Sequence, residues 1–232
     1  MGDLEVRIEI AKLSADLGVP EDDLAFLRRR DAEAVRALRD LVRTSVADRN
    51  AERVERLGSL TKLAPTGVAA KVAQHAFGPA LSARVAGSVA PADAVRLASH
   101  LPPAFLAELS AWLEPTRVAP IVERLPDELL VDIGRRLLAA GQYGALARLV
   151  AVVSPALAAR VVEPATGEQL LQIALFADDP TLIESVAERL SDEQLSGIVA
   201  AAEDYDPDAP ALLLGRLSGR TRERLTALSD ER

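Results

Sequence analysis

Between Ala90 and Leu137 the chain reads as four consecutive twelve-residue blocks: APADAVRLASHL, PPAFLAELSAWL, EPTRVAPIVERL and PDELLVDIGRRL. Each closes on leucine (Leu101, Leu113, Leu125, Leu137). An aliphatic residue stands four positions earlier (Leu97, Leu109, Ile121, Ile133), and an apolar one three before that (Ala94, Leu106, Val118, Leu130). The i, i+3, i+7 spacing is one face of an α-helix and cannot be one face of a strand, whose side chains alternate with period two. Proline heads every block (Pro91; Pro102 and Pro103; Pro115; Pro126). Its fixed φ and missing N–H suit a first helical turn and stop the helix before it. The blocks are therefore short helices joined by tight turns. Such helices cannot hide their stripes alone, and stacking them makes one continuous core. Small residues at Ala98, Ala107, Ala119 and Gly134 would let neighbouring helices approach closely.

The period extends in both directions. APTGVAAKVAQHA (64–76) and FGPALSARVAGSV (77–89) are looser units with an early Pro65 or Pro79. After Leu137 a helix is expected to run through Ala140, stop at Gly141 and turn over 141–144, with another helix from Tyr143 or Ala145 to Val153. Further starts are expected at Ser154-Pro155, Glu163-Pro164, Asp178-Asp179-Pro180, Ser191-Asp192-Glu193 and Asp206-Pro207. No run of alternating β-branched residues interrupts this series. The expectation is an all-α solenoid over residues 63–232, with about ten to thirteen short helices at one per unit.

Residues 1–62 differ. Leu4, Val6, Ile8 and Ile10 alternate as a strand would, while Val6, Ile10, Leu13 and Leu17 form a longer helical stripe that ends before Gly18, a suitable C′ residue. Val19-Pro20-Glu21-Asp22-Asp23 opens a second helix carrying Leu24 and Leu27 to Arg30. From Asp31 a long amphipathic segment follows, with Leu38, Leu41 and Val42 and then Val54 and Leu57, broken near Asp48-Arg49-Asn50. This stretch reads as a helical segment of its own, a dimer arm or a cap. Arg28, Arg29 and Arg30, continued by Arg36, Arg39, Arg43, Arg49, Arg53 and Arg56, are interleaved with acids and read as a solvated helical face.

The net charge of −8 narrows the partners. Residues 138–232 hold 15 acids against 8 bases and the rest is balanced, so there is no basic footprint for nucleic acid. Cysteine is absent, which removes disulfides, thiolate metal sites and a cysteine nucleophile. There is no GxSxG, HExxH or phosphate-cradling glycine loop, so no enzyme class is nominated. MGDLEVRIEIAKL lacks the form of a signal peptide, and no stretch approaches the ~20 apolar residues that span a bilayer. The expected location is the cytoplasm, and the arginine- and alanine-rich usage suggests a bacterial source.

In LPPAFLAELSAWLEPTRVAPIVERLPDELL and SHLPPAFLAEL the chain resembles the N-terminal cytosolic domain of MgtE-type magnesium transporters, clearly over 64–137 and more weakly to about 217. The resemblance implies a right-handed superhelix of short helices and a regulatory role. In those transporters, acids at helix starts help hold magnesium against a CBS module. Here Ala92, Ala104 and Thr116 stand at several such positions, and the chain carries neither CBS module nor membrane span.

Three groups of residues are candidate sites. Phe105, Leu109 and Trp112 form an i, i+4, i+7 stripe that either is buried on both flanks or lines a concave surface for a partner helix or an apolar ligand. Asp204, Asp206 and Asp208 have the spacing of half a calcium loop, but Ala209 and Gly215 stand where its glycine and bidentate glutamate belong. His75 and His100 sit near helix C-termini, where the dipole accounts for them. The expected function is a non-enzymatic interaction or regulatory module with a protein partner and no cofactor. A carrier or sensor of an apolar small molecule held between helices is the alternative, and divalent-cation sensing a third reading.

Overall fold

A computed structural model describes residues 2–48, 65–113 and 115–230. The expected break at Asp48-Arg49-Asn50, the continuation through Val54 and Leu57, and the junction at 62–63 involve residues outside that range. All described regular structure is helical, in fifteen α-helices with no strand. They are α1 (Gly2–Leu17), α2 (Ala32–Asp48), α3 (Thr66–Val72), α4 (Gly78–Ala86), α5 (Pro91–Ala98), α6 (Pro103–Ser110), α7 (Pro115–Val122), α8 (Asp127–Ala139), α9 (Tyr143–Val150), α10 (Pro155–Val162), α11 (Gly167–Phe176), α12 (Pro180–Ala187), α13 (Asp192–Tyr205), α14 (Ala209–Arg216) and α15 (Gly219–Asp230). A 3₁₀ segment, Glu21–Arg29, replaces the expected second helix, and a π turn, Ala73–Phe77, joins α3 to α4. No described helix is long and apolar enough to cross a membrane.

The chain forms two compact units, one of residues 1–47 with 163–232 and one of residues 48–162. Residues 1–47 thus group with residues 163–232, and α1 packs on the 3₁₀ segment and on α11. α1, the 3₁₀ segment and α2 share a core of Val6, Ile10, Leu13, Leu24, Leu27 and Val35. Leu4 and Ile8 are buried as well, at 2% and 4% exposure. A helix covered on nearly every side has no single apolar stripe, which is why its sequence also scans as a strand.

Within each unit, alternate helices pack on one another. In the second unit α3, α5 and α7 form one row, and α4, α6, α8 and α10 another; in the first unit α11, α13 and α15 form a row beside α12 and α14. Seven of the fifteen described α-helices are eight residues long, too short to persist alone in water. The twelve-residue period is thus one helix, and the structural repeat is a pair.

Local chemistry sets the ends. Gly141, at φ 65°, sits at C′ of α8, where its N–H donates to the Leu138 carbonyl (3.1 Å) and that of Gln142 to the Leu137 carbonyl (2.9 Å), a Schellman closure. Thr166 with Gln169 and Ser191 with Gln194 form reciprocal capping boxes on α11 and α13. The first of these moves the start expected at Glu163-Pro164 to Gly167, because a threonine three residues before a glutamine satisfies two orphan amides there. The start expected at Asp206-Pro207 likewise shifts to Ala209, with Asp208 at the N-cap.

Candidate functional site: an apolar cavity in the second unit

The leucine stripes meet around open space. A cavity of about 350 Å³ lies in the second unit, and eleven of the twelve repeat positions line it: Ala94, Leu97 and Leu101; Leu106, Leu109 and Leu113; Val118, Ile121 and Leu125; Leu130 and Ile133. The twelfth, Leu137, is buried elsewhere in the core at 2% exposure. α3 and α4 add Ala69, Val72, Val85 and Ala86, the π turn adds Ala73 and Phe77, and α9 adds Ala145 and Leu149. Each short helix offers one stripe, and facing stripes from the two rows line the space, which stays partly open to solvent.

The wall has few polar groups, and each is tied to backbone. Ser82 Oγ donates to the Ala73 carbonyl (3.0 Å), Ser110 Oγ to the Leu106 carbonyl (2.7 Å) and Arg148 Nη2 to the Ala111 carbonyl (2.8 Å). No carboxylate, imidazole or phenol is among the lining residues. Such a wall can take up apolar matter, and it presents no acid–base pair to a substrate.

The candidate stripe of α6 divides. Leu109 lines the cavity, while Phe105 packs behind it with Ala83, Leu101 and Leu113. Both are 6% exposed, whereas Trp112 is 51% exposed and off the wall. The expected shared surface of Phe105, Leu109 and Trp112 is therefore corrected. The α-helix ends at Ser110, and the Trp112 amide donates to the Leu109 carbonyl (3.0 Å). This i→i−3 turn winds more tightly than an α-helix and swings the tryptophan off the stripe.

Asp204, Asp206 and Asp208 do not converge as ligands. Asp204 is exposed near the end of α13; Asp206 accepts the Asp208 amide (2.9 Å) and Arg7 Nη1 (2.8 Å). The Asp208 amide, with a smaller contribution from Arg7, holds the Asp206 carboxyl below the usual carboxylate value. Among the described residues no group of three or more histidine, aspartate or glutamate side chains is placed to hold a metal ion. His75 lies exposed in the π turn, and His100, just past α5, has Nδ1 2.9 Å from the Arg96 carbonyl.

The first unit contains a polar site that the sequence reading missed. Glu9, Lys12 and Arg39 are 1%, 3% and 2% exposed, although Arg39 belongs to the series read as a solvated face. Asp178 Oδ1 accepts from Lys12 Nζ (2.8 Å) and Arg39 Nη2 (2.9 Å), and Glu9 Oε1 accepts from Arg36 Nη2 (3.1 Å). Burial works against charge on Asp178, but Lys12 and Arg39 outweigh it and hold its carboxyl at about 2. Burial dominates at Lys12 and lowers its ammonium below the ordinary value. The available signal was the pair Glu9 and Lys12, interrupting an otherwise apolar helix face.

Compared with protein-family models, curated proteins and solved structures, the chain matches none.

Proposed function

We propose that this chain is a non-enzymatic binding module whose second unit takes up an apolar small molecule, as a carrier or a sensor. The observation that supports this is the cavity itself, whose wall is the repeat stripe. Its 350 Å³ lies within the range of small-molecule sites. The scarcity of polar groups on the wall favours a ligand recognised by shape and hydrophobicity. Native mass spectrometry of the protein purified from its own host tests this reading: a co-purifying apolar molecule supports it. A protein that is bare, and that also fails to enhance the fluorescence of an apolar probe dye, overturns it.

A protein-interaction module is the second reading, favoured by Trp112, which stands half exposed on a short turn as interface tryptophans do. Trp112→Ala would then abolish capture of a partner while leaving probe uptake unchanged.

A further inference from the structure

We propose that the first unit binds a small oxyanion, a molecule bearing a carboxylate or phosphate group, in a pocket bounded by Lys12, Arg36, Arg39 and Arg216. This site is independent of the apolar cavity.

The pocket has a volume of about 300 Å³. Four cations line it against two carboxylates, Asp40 and Asp178, with Glu9 beside them. Asp178 is engaged by Lys12 and Arg39, and Glu9 by Arg36, with Lys12 Nζ and Arg39 Nη2 each 3.5 Å from one of its oxygens. Arg39 Nε is left buried without a hydrogen-bond acceptor, and Glu9 Oε2, 3.5 Å from Arg39 Nη2, without a donor. An unsatisfied donor on a buried guanidinium is costly, and an oxyanion is the acceptor that suits it.

Arg216 strengthens the case. Its Nη1 donates to the carbonyls of Ala174 (2.8 Å) and Ala177 (3.3 Å) at the end of α11, and among the described residues no carboxylate lies within ion-pair distance of it. Burial lowers its guanidinium below the ordinary value; the Glu9 charge opposes this, and Arg36 nearby adds to the lowering. An anion between the two would relieve both charges. Guanidinium forks match carboxylate and phosphate bidentately. Asp40, on the exposed side of α2, and Asp178 also line the pocket, which limits the ligand to low charge. Ala177, Pro180 and Ile183 complete the wall and leave room for a short aliphatic part.

The test uses the full chain at constant ionic strength, replacing sodium chloride stepwise by sodium butyrate or sodium phosphate. Thermal unfolding and the arginine Nε–H resonances are followed. The expected result is a saturable rise in Tm and a downfield shift of one buried Nε–H, with butyrate, phosphate or both; whichever acts identifies the oxyanion. In Arg36→Gln, altered at a half-exposed side chain, the apparent affinity falls at least tenfold while helical content is retained. Arg216→Gln should do the same, and if that variant does not fold, Arg36→Gln decides. A response no larger than that to chloride, or one unchanged in Arg36→Gln, overturns the site.

Discussion

Gly167 at the start of α11 and Gly197 in the middle of α13 meet backbone to backbone, so that a Cβ on Gly167 would fall on the carbonyl group of Gly197. The relation is not symmetric: a Cβ on Gly197 would lie 3.3 Å from the Gly167 Cα. Gly167→Ala is therefore expected to destabilise the first unit by about 1–3 kcal/mol. For Gly197→Ala, a gain of roughly 1 kcal/mol in helix propensity offsets the tight contact. Urea midpoints of the two variants check this; equal losses would refute the close crossing.

Gly134 on α8 makes the corresponding contact in the second unit, where an added Cβ would overlap Val161 of α10, itself 0% exposed. Gly134→Ala should cost about 1–3 kcal/mol. In a double-mutant cycle with Val161→Ala, the pair should be less damaged than the sum of the singles, with a coupling of 0.5 kcal/mol or more. Simple additivity would place the strain elsewhere.

Ala98, 8% exposed on the cavity wall, offers a way to close the space. Ala98→Phe should reduce uptake of an apolar probe at least tenfold with helicity retained. Leu109→Ala enlarges the space at about 2–5 kcal/mol in stability. Probe binding unchanged in Ala98→Phe would remove the cavity from the functional reading.

Asp178 links stability to acid. Its folded value of about 2 lies below the ~3.9 of an unfolded aspartate, so folding favours the ionised form. Its contribution is complete above about pH 4 and is lost as pH falls through about 2. Asp178→Asn should flatten the fall in urea midpoint between pH 4 and pH 2. An identical slope in the variant would show that Lys12 and Arg39 do not hold that carboxyl.

Trp112 is the only tryptophan, so intrinsic emission reports its position. It should emit at long wavelength, be readily quenched by acrylamide, and change stability by less than about 0.5 kcal/mol on replacement by alanine. Blue-shifted, protected emission would place it against other groups.

The helices were legible because their signals are local. Leucine at every twelfth position, proline at each block head and glycine at 141 act within a few residues, and backbone sterics enforce them wherever the chain goes. Even the cavity wall was legible as a set, since eleven stripe residues line it. That they surround space was not, because periodicity says which side of a helix avoids water and not how closely two such sides meet. Trp112 was misplaced because a stripe extrapolated past Ser110 assumes an α-helical turn where the chain winds more tightly. The grouping of α1 and α2 with residues 163–232, and the burial of Glu9, Lys12 and Arg39 around Asp178, depend on residues up to 199 positions apart. Sequence thus settled the elements, whose causes are local, and tertiary packing settled their company, because a charge is buried only when a distant partner compensates it.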